Sequence, residues 1–196
     1  MSLYFIRHGE TEYNRDDKLQ GLSDSPLTEK GLVQVNKFAE FFADKNIQKI
    51  YASPLERTNK TASIIAKKLS KEVSIIENLK ETCYGEWEEK SKTYLKCHPL
   101  WGQRARDKYN FVHPGEFLGK KGESYADCYR RIVIFLQGIK SSNLMISHLG
   151  TLRNIRKFYE QVSDDEAVSF SPKNNQVYVV ELDDEGKFMG SRLEEV

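Results

Sequence analysis

Short apolar runs alternate with amphipathic stretches along the whole chain, and this alternation limits the fold more than any other feature. Leu3–Arg7, Ile47–Ala52, Val73–Ile76, Asn143–Ser147 and Val177–Leu182 are brief runs rich in branched and aromatic side chains, the pattern of buried strands. Between them, apolar residues recur at helical spacing. Leu32, Val35, Phe38, Ala39 and Phe42 do so up to about residue 44, followed by Ala62, Ile65, Ala66 and Leu69. The same spacing returns in Cys128, Ile132, Phe135, Leu136 and Ile139, then in Leu152, Ile155, Phe158 and Tyr159. Strands alternating with helices predict an α/β fold, a three-layer α/β/α sandwich around a mostly parallel sheet. Asp183-Asp184-Glu185-Gly186 reads as a turn, so Lys187–Leu193 returns as a hairpin partner and makes one edge antiparallel.

Local signals place the helix starts. Thr28 is a candidate N-cap, and Ser124 with Asp127 reads as a capping pair. Ser53-Pro54-Leu55-Glu56 predicts a helix with Ser53 as cap, Pro54 at the first position and Glu56 closing a capping box, which puts Arg57 just past the first turn. Residues 8–27 read as a long loop rich in charge, Gly and Ser, a length uncommon unless it serves function. Residues 77–123 have no sustained periodicity, with a helical part around 91–108. They are expected to be an insertion covering one end of the sheet, within a single domain spanning 1–196.

The net charge of +1 gives no sequence-wide basic field, which argues against nucleic acid or a membrane surface as partner. The basic run Gln103–Tyr109 and Lys120-Lys121 read as solvated surface or as contacts for an anionic substrate tail. No apolar run approaches membrane-spanning length. Cys83, Cys97 and Cys128 are widely spaced, an odd count with no metal-ligand pattern. These features predict a soluble cytoplasmic protein with no metal and leave a homodimer open.

The chemistry concentrates where strands end. Arg7-His8-Gly9 follows the first run, Arg57 follows the second, and His148 follows Asn143–Ser147. In a parallel sheet these ends share one edge, and ligands of open α/β sheets bind outside the carboxyl ends of the strands. A guanidinium grips phosphate in a fork, and an imidazole is a nucleophile near neutral pH. Two arginines beside a histidine would also keep the ring unprotonated. Phosphoryl transfer further needs a proton donor for the leaving oxygen. Glu81 is the candidate, although Glu86, Glu88 and Glu89 are not distinguishable from it by chemistry alone, and most of the four are expected on a solvated face.

Arg7-His8-Gly9-Glu10-Thr11 with Asn14 resembles the first motif of the histidine phosphatase (phosphoglycerate mutase-like) superfamily. Gln20–Thr28 with Gly31, Ser53–Thr58, Leu79–Trp87, Gly122-Glu123-Ser124 and Ile146-Ser147-His148 resemble later motifs in the right order. The resemblance implies His8 as a phosphorylated nucleophile, Arg7, Arg57 and His148 as the phosphate pocket, and Glu81 as proton donor. It also implies that Asn14 contacts the phosphate, that Gln20 and Gly21 line the pocket mouth, and that no metal or other cofactor is required. Leu149 stands where many members have Gly, at a contact made by backbone, and is counted with the substrate-binding residues. Glu116–Lys121 is an extra stretch before Gly122, and Tyr84-Gly85-Glu86-Trp87 is similar to phosphatase-type members. The expected function is hydrolysis of a small phosphorylated metabolite, with Lys92, Lys96, Arg104, Arg106 and His113 as candidates for selecting it. The alternatives are phosphoglycerate mutase-type transfer and a non-catalytic phospho-ligand-binding module.

Overall fold

Every second residue of the first strand faces the same layer of helices, which ties the sequence pattern to the architecture. The computed structural model describes residues 1–139 and 141–196. In β1 (Ser2–Arg7), Tyr4 and Ile6 enter one core while Leu3 and Phe5 enter the other. A strand with apolar residues on both faces belongs in the middle of a sheet. The helices α2 (Glu29–Phe41) and α3 (Glu56–Leu69) cover the first face through Val35, Phe38 and Ile65. On the second face lie α6 (Tyr125–Leu136) and α7 (Leu149–Glu160), packing Cys128, Ile132, Leu152 and Ile155. Each fully buried Ile or Phe contributes about 1.5–3 kcal/mol relative to exposure.

The other strands of the sheet are β2 (Lys49–Ala52), β3 (Val73–Ile75), β6 (Asn143–Ser147), β7 (Gln176–Leu182) and β8 (Phe188–Glu195). They run in the order β3-β2-β6-β1-β7-β8. Pairing is parallel from β3 to β1 and antiparallel from β1 to β8. The mostly parallel α/β/α sandwich with an antiparallel edge is therefore the observed fold. No helix among the described residues is long and apolar enough to cross a membrane.

Three expectations need correction. First, Ser53 does not cap α3. The N-cap is Leu55, which makes no side-chain cap bond. The Asp24 carboxylate instead accepts the N–H of Glu56 at 2.8 Å and of Arg57 at 3.4 Å, while the Ser53 hydroxyl is engaged by His148. Arg57 is thus the second residue of the helix, inside its first turn. Second, the 8–27 segment holds a short helix, α1 (Glu12–Arg15), closed by a reciprocal cap between Thr11 and Asn14. Third, Glu88 is 3% exposed and is no part of a solvated face.

The 77–123 region folds as short pieces: α4 (Lys92–Leu95), α5 (Trp101–Arg106) and a hairpin of β4 (Glu116–Phe117) with β5 (Lys120–Lys121). The hairpin is the extra stretch noted before Gly122. The region packs on an aromatic centre rather than a periodic face. Trp87 lies 6.0 Å from Trp101 and 5.4 Å from Phe111 between ring centroids. Gly85 is at φ +56°, where a Cβ would also stand 2.1 Å from the Pro114 carbonyl oxygen, so only glycine fits.

Candidate active site

Strand register brings the two histidines together. Arg7 of β1 pairs with Ser147 of β6, so His8 and His148 leave neighbouring strand ends side by side. The His8 N–H donates to the Ser147 carbonyl at 3.1 Å, and the two rings lie 5.3 Å apart between centroids. His8 Nδ1 lies 2.8 Å from the Gly9 carbonyl oxygen. A carbonyl only accepts, so Nδ1 carries the proton and Nε2 keeps its lone pair. That lone pair accepts from Arg57 Nε at 3.2 Å. Burial, then the charges of Arg57 and Arg7, hold the His8 imidazole well below its usual pKa, so the ring is neutral.

Arg57 is the hub of the cradle. Its Nη1 donates to the Ser23 carbonyl and to Asp24 Oδ1, and its Nη2 donates to the Gly21 carbonyl and to His148 Nδ1 at 3.0 Å. A guanidinium cannot accept, so His148 carries its proton on Nε2 and donates it to Ser53 Oγ at 2.8 Å. His148 is likewise held neutral, first by burial and then by Arg57. The 20–24 loop that grips Arg57 is pinned in turn. Glu88 accepts the N–H groups of Gly21, Leu22, Ser23 and Tyr84 and the Ser23 hydroxyl. Nothing local in the sequence marks Asp24 or Glu88 for these roles, because Arg57 and the 21–23 backbone lie more than thirty positions from them. Arg7 donates from Nη1 to Asn174 Oδ1 at 3.2 Å, and its buried Nε–H has no acceptor. Burial is the main cause that lowers the Arg7 pKa to about 10.

Glu81 is 3% exposed and is held by the start of α7. Its carboxyl oxygens accept the N–H groups of Thr82 at 2.8 Å and Gly150 at 2.9 Å. A Cβ on Gly150 would come within 2.3 Å of Glu81 Oε1, so the absence of a side chain there gives the carboxyl its seat. Arg131 holds the backbone behind it, donating to the carbonyls of Asn78 and Glu81 at 2.7 and 2.9 Å. Arg131 also pairs with Glu123, whose carboxylate and backbone bracket Cys83.

Arg7, Asn14, Gln20, Glu81 and Leu149 all line one cavity of about 440 Å³. Asn14 Oδ1 accepts the Thr11 N–H, which leaves the NH2 as the group it can offer an anion. Gln20 is braced by Thr11 and Ser25. Gly21 is not among the lining residues, and its backbone serves Arg57 instead. His8, Arg57 and His148 are at most 2% exposed and are not among the cavity's lining residues. Of the candidates for substrate selection, Lys92 and Arg104 line the cavity, His113 backs Arg104, and Lys96 and Arg106 face outward. Lys108 of the basic Gln103–Tyr109 run also lines it, as do Tyr125, Arg153 and Asn174, which no motif marked.

Known proteins resemble this chain in sequence and in fold. A profile of the histidine phosphatase superfamily (branch 1) matches residues 3–192, and the chain belongs to that family. Phosphoserine phosphatase 1 of Hydrogenobacter thermophilus is 31% identical over 163 residues, covering 78% of this chain and 73% of its own. The 2,3-bisphosphoglycerate-dependent phosphoglycerate mutase of Bacteroides fragilis is 27% identical over an alignment of 218 residues, 93% of this chain and 87% of the mutase. A structure of Entamoeba histolytica phosphoserine phosphatase in complex with 3-phosphoglyceric acid has a TM-score of 0.80 and 26% identity, covering 100% of this chain and 97% of that one.

Proposed function

We propose that the protein is a phosphomonoesterase that hydrolyses a small phosphorylated metabolite through a phosphohistidine on His8. The observation that carries this reading is a neutral His8, locked with its lone pair on Nε2, beside a buried Arg7 Nε–H that lacks an acceptor. Buried donors without partners are rare in folded proteins, and a phosphate oxygen is an acceptor of the right kind.

The reaction follows from these groups. Phosphate oxygens take the N–H donors of Arg7 and of Arg57 Nε, which frees the His8 lone pair that Arg57 occupies. Nε2 attacks phosphorus, the P–O bond to the alcohol breaks, and a protonated Glu81 gives its proton to the departing oxygen. Water then attacks the phosphohistidine, Glu81 takes a proton from it, and inorganic phosphate leaves with His8 restored. His148 has both ring nitrogens engaged, so in this arrangement it acts on the phosphate through Arg57. The 27% identity to a phosphoglycerate mutase over most of the chain supports a second reading, in which the phosphoryl group returns to an acceptor alcohol instead of water.

The test is a screen of phosphorylated metabolites in EDTA, reading phosphate release alongside 2-/3-phosphoglycerate interconversion. Release without interconversion is expected, together with an acid-labile phosphoryl group on His8 after quenching. Hydrolysis by His8→Ala equal to that of the parent would overturn the assignment.

A further inference from the structure

The turn that leads into β7 meets the catalytic end of β1. The two strands are antiparallel with Val177 opposite Ile6, so the residues just before β7 lie beside Arg7 and His8. They form a turn that closes on itself. The Gln176 N–H donates to the Lys173 carbonyl at 3.2 Å, and the Lys173 N–H donates back to Gln176 Oε1 at 2.9 Å. The end of β8 anchors the same turn, since the Asn175 carbonyl accepts the Val196 N–H at 2.9 Å. Asn174 stands in this braced turn and lines the catalytic cavity.

The Asn174 amide holds two parts of the site at once. Its Oδ1 accepts from Arg7 Nη1 at 3.2 Å, and its Nδ2 donates to the His8 carbonyl at 2.6 Å. The amide can face only one way, because a guanidinium only donates and a carbonyl only accepts. Among the described residues this is the one hydrogen bond that the Arg7 guanidinium makes, and its buried Nε–H has no acceptor. Arg57, by contrast, is held by a carboxylate and two carbonyls. A neutral anchor fixes Arg7 and leaves its charge whole for a phosphate, whereas a carboxylate in the same place would offset that charge. The second bond acts on His8. It holds the His8–Gly9 peptide group by its carbonyl, while Thr61 Oγ1 accepts the N–H of the same group at 3.2 Å. The next carbonyl, that of Gly9, is the one that orients the His8 ring.

We propose that Asn174 is a positioning residue for phosphoryl transfer: its neutral amide sets the guanidinium of Arg7 and the main chain of His8 in fixed relation to each other. The proposal rests on the reading that His8 attacks a phosphate held by Arg7. Asn174 touches neither reacting atom. It acts through Arg7, which it aims without cancelling its charge, and through the peptide group that precedes the Gly9 carbonyl. The two duties call for different halves of the amide, so substitutions can separate them. Aspartate keeps an acceptor for Arg7, loses the donor to His8 and adds a negative charge. Alanine loses both bonds and leaves the Arg7 charge intact.

The test compares Asn174→Asp and Asn174→Ala with the parent on the full chain, with melting curves confirming that each is folded. Calorimetry with inorganic phosphate reads the first duty. Asn174→Asp should bind phosphate about tenfold more weakly or worse, and Asn174→Ala within about threefold of the parent. A merely structural contact predicts the reverse order, because aspartate is the closer isostere. Kinetics on p-nitrophenyl phosphate read the second duty. Asn174→Ala should lose about tenfold or more in kcat/KM, well beyond its loss of phosphate affinity, because the groups are present but misaligned. Phosphate affinity of Asn174→Asp equal to that of the parent or of Asn174→Ala overturns the neutral anchor. A folded Asn174→Ala whose kcat/KM falls no further than its phosphate affinity overturns the positioning of His8. Binding of phosphate needs no turnover, so a failure of the His8 mechanism would show in the His8→Ala hydrolysis assay and leave the calorimetric comparison decisive.

Discussion

Arg57 Nε stands 3.2 Å from His8 Nε2 while Nη2 of the same guanidinium reaches His148 Nδ1 at 3.0 Å, so one side chain spans both imidazoles. A lysine has one charged nitrogen and cannot span them. Arg57→Lys should lower kcat/KM about 100- to 1,000-fold, the range for loss of a preorganised donor at developing charge. Steady-state kinetics on any accepted phosphomonoester checks this, and an unchanged kcat/KM would remove Arg57 from the chemistry.

Asp24 serves two purposes at once. It pairs with Arg57 Nη1 at 2.7 Å and caps the N-terminus of α3 from a distant loop. Asp24→Ala should therefore lose about 1 kcal/mol of stability from the missing cap. It should also slow turnover, because Arg57 loses its carboxylate. Urea unfolding and kcat measured on the same preparation read the two effects separately.

The contact between Gly150 and Glu81 predicts a leaving-group signature. Gly150→Ala would push the Glu81 carboxyl from its seat, and Arg131→Met would release the backbone behind it. Alkyl phosphates need a donated proton, whereas p-nitrophenolate departs without one. Both variants should lose at least tenfold in kcat/KM on an alkyl phosphate and much less on p-nitrophenyl phosphate, because kcat/KM reads the bond-breaking step and not the later hydrolysis. Equal losses on the two substrates would mean general damage instead of a displaced acid.

Stability should fall in mild acid. His8 and His148 are held well below the ordinary histidine value, and His113 is lowered to about 4, in each case chiefly by burial. Below pH 6.5 the unfolded chain takes up protons that these folded rings refuse, so stability drops as pH drops. At about 1.4 kcal/mol per unit, His113 alone withdraws about 2 kcal/mol by pH 5. Urea midpoints at pH 7.5 and pH 5 measure the fall, and His113→Gln should make it shallower.

The parts of the molecule legible in the sequence are those built on repetition. Helices α2, α6 and α7 each present an apolar face to one of two cores and show as a period, while strand β1 feeds both cores and shows as an unbroken apolar run. The convergence of Arg7, His8, Arg57 and His148 was legible for a similar reason, since each follows a strand that must end at the same edge of a parallel sheet. The 77–123 region hid its structure because its centre is the Trp87 cluster, in which rings from scattered positions meet without periodicity. Ser53 misled because Ser-Pro-x-Glu fits a cap pattern, whereas the hydroxyl was claimed by His148 from ninety-five residues away. Glu88 looks like any surface acid until the 20–24 loop folds against it, and Asp24 until that loop meets Arg57 and the start of α3.

The ladder between β1 and β6 works as a ruler. The separation of His8 from His148 is written into main-chain hydrogen bonds, which no side-chain replacement in the 77–123 region touches. Grafting that region from a relative, with Glu81 and Glu88 kept, should retune which molecules are accepted and leave the two imidazoles at their present spacing. A scaffold arranged this way can change its diet without relearning its chemistry.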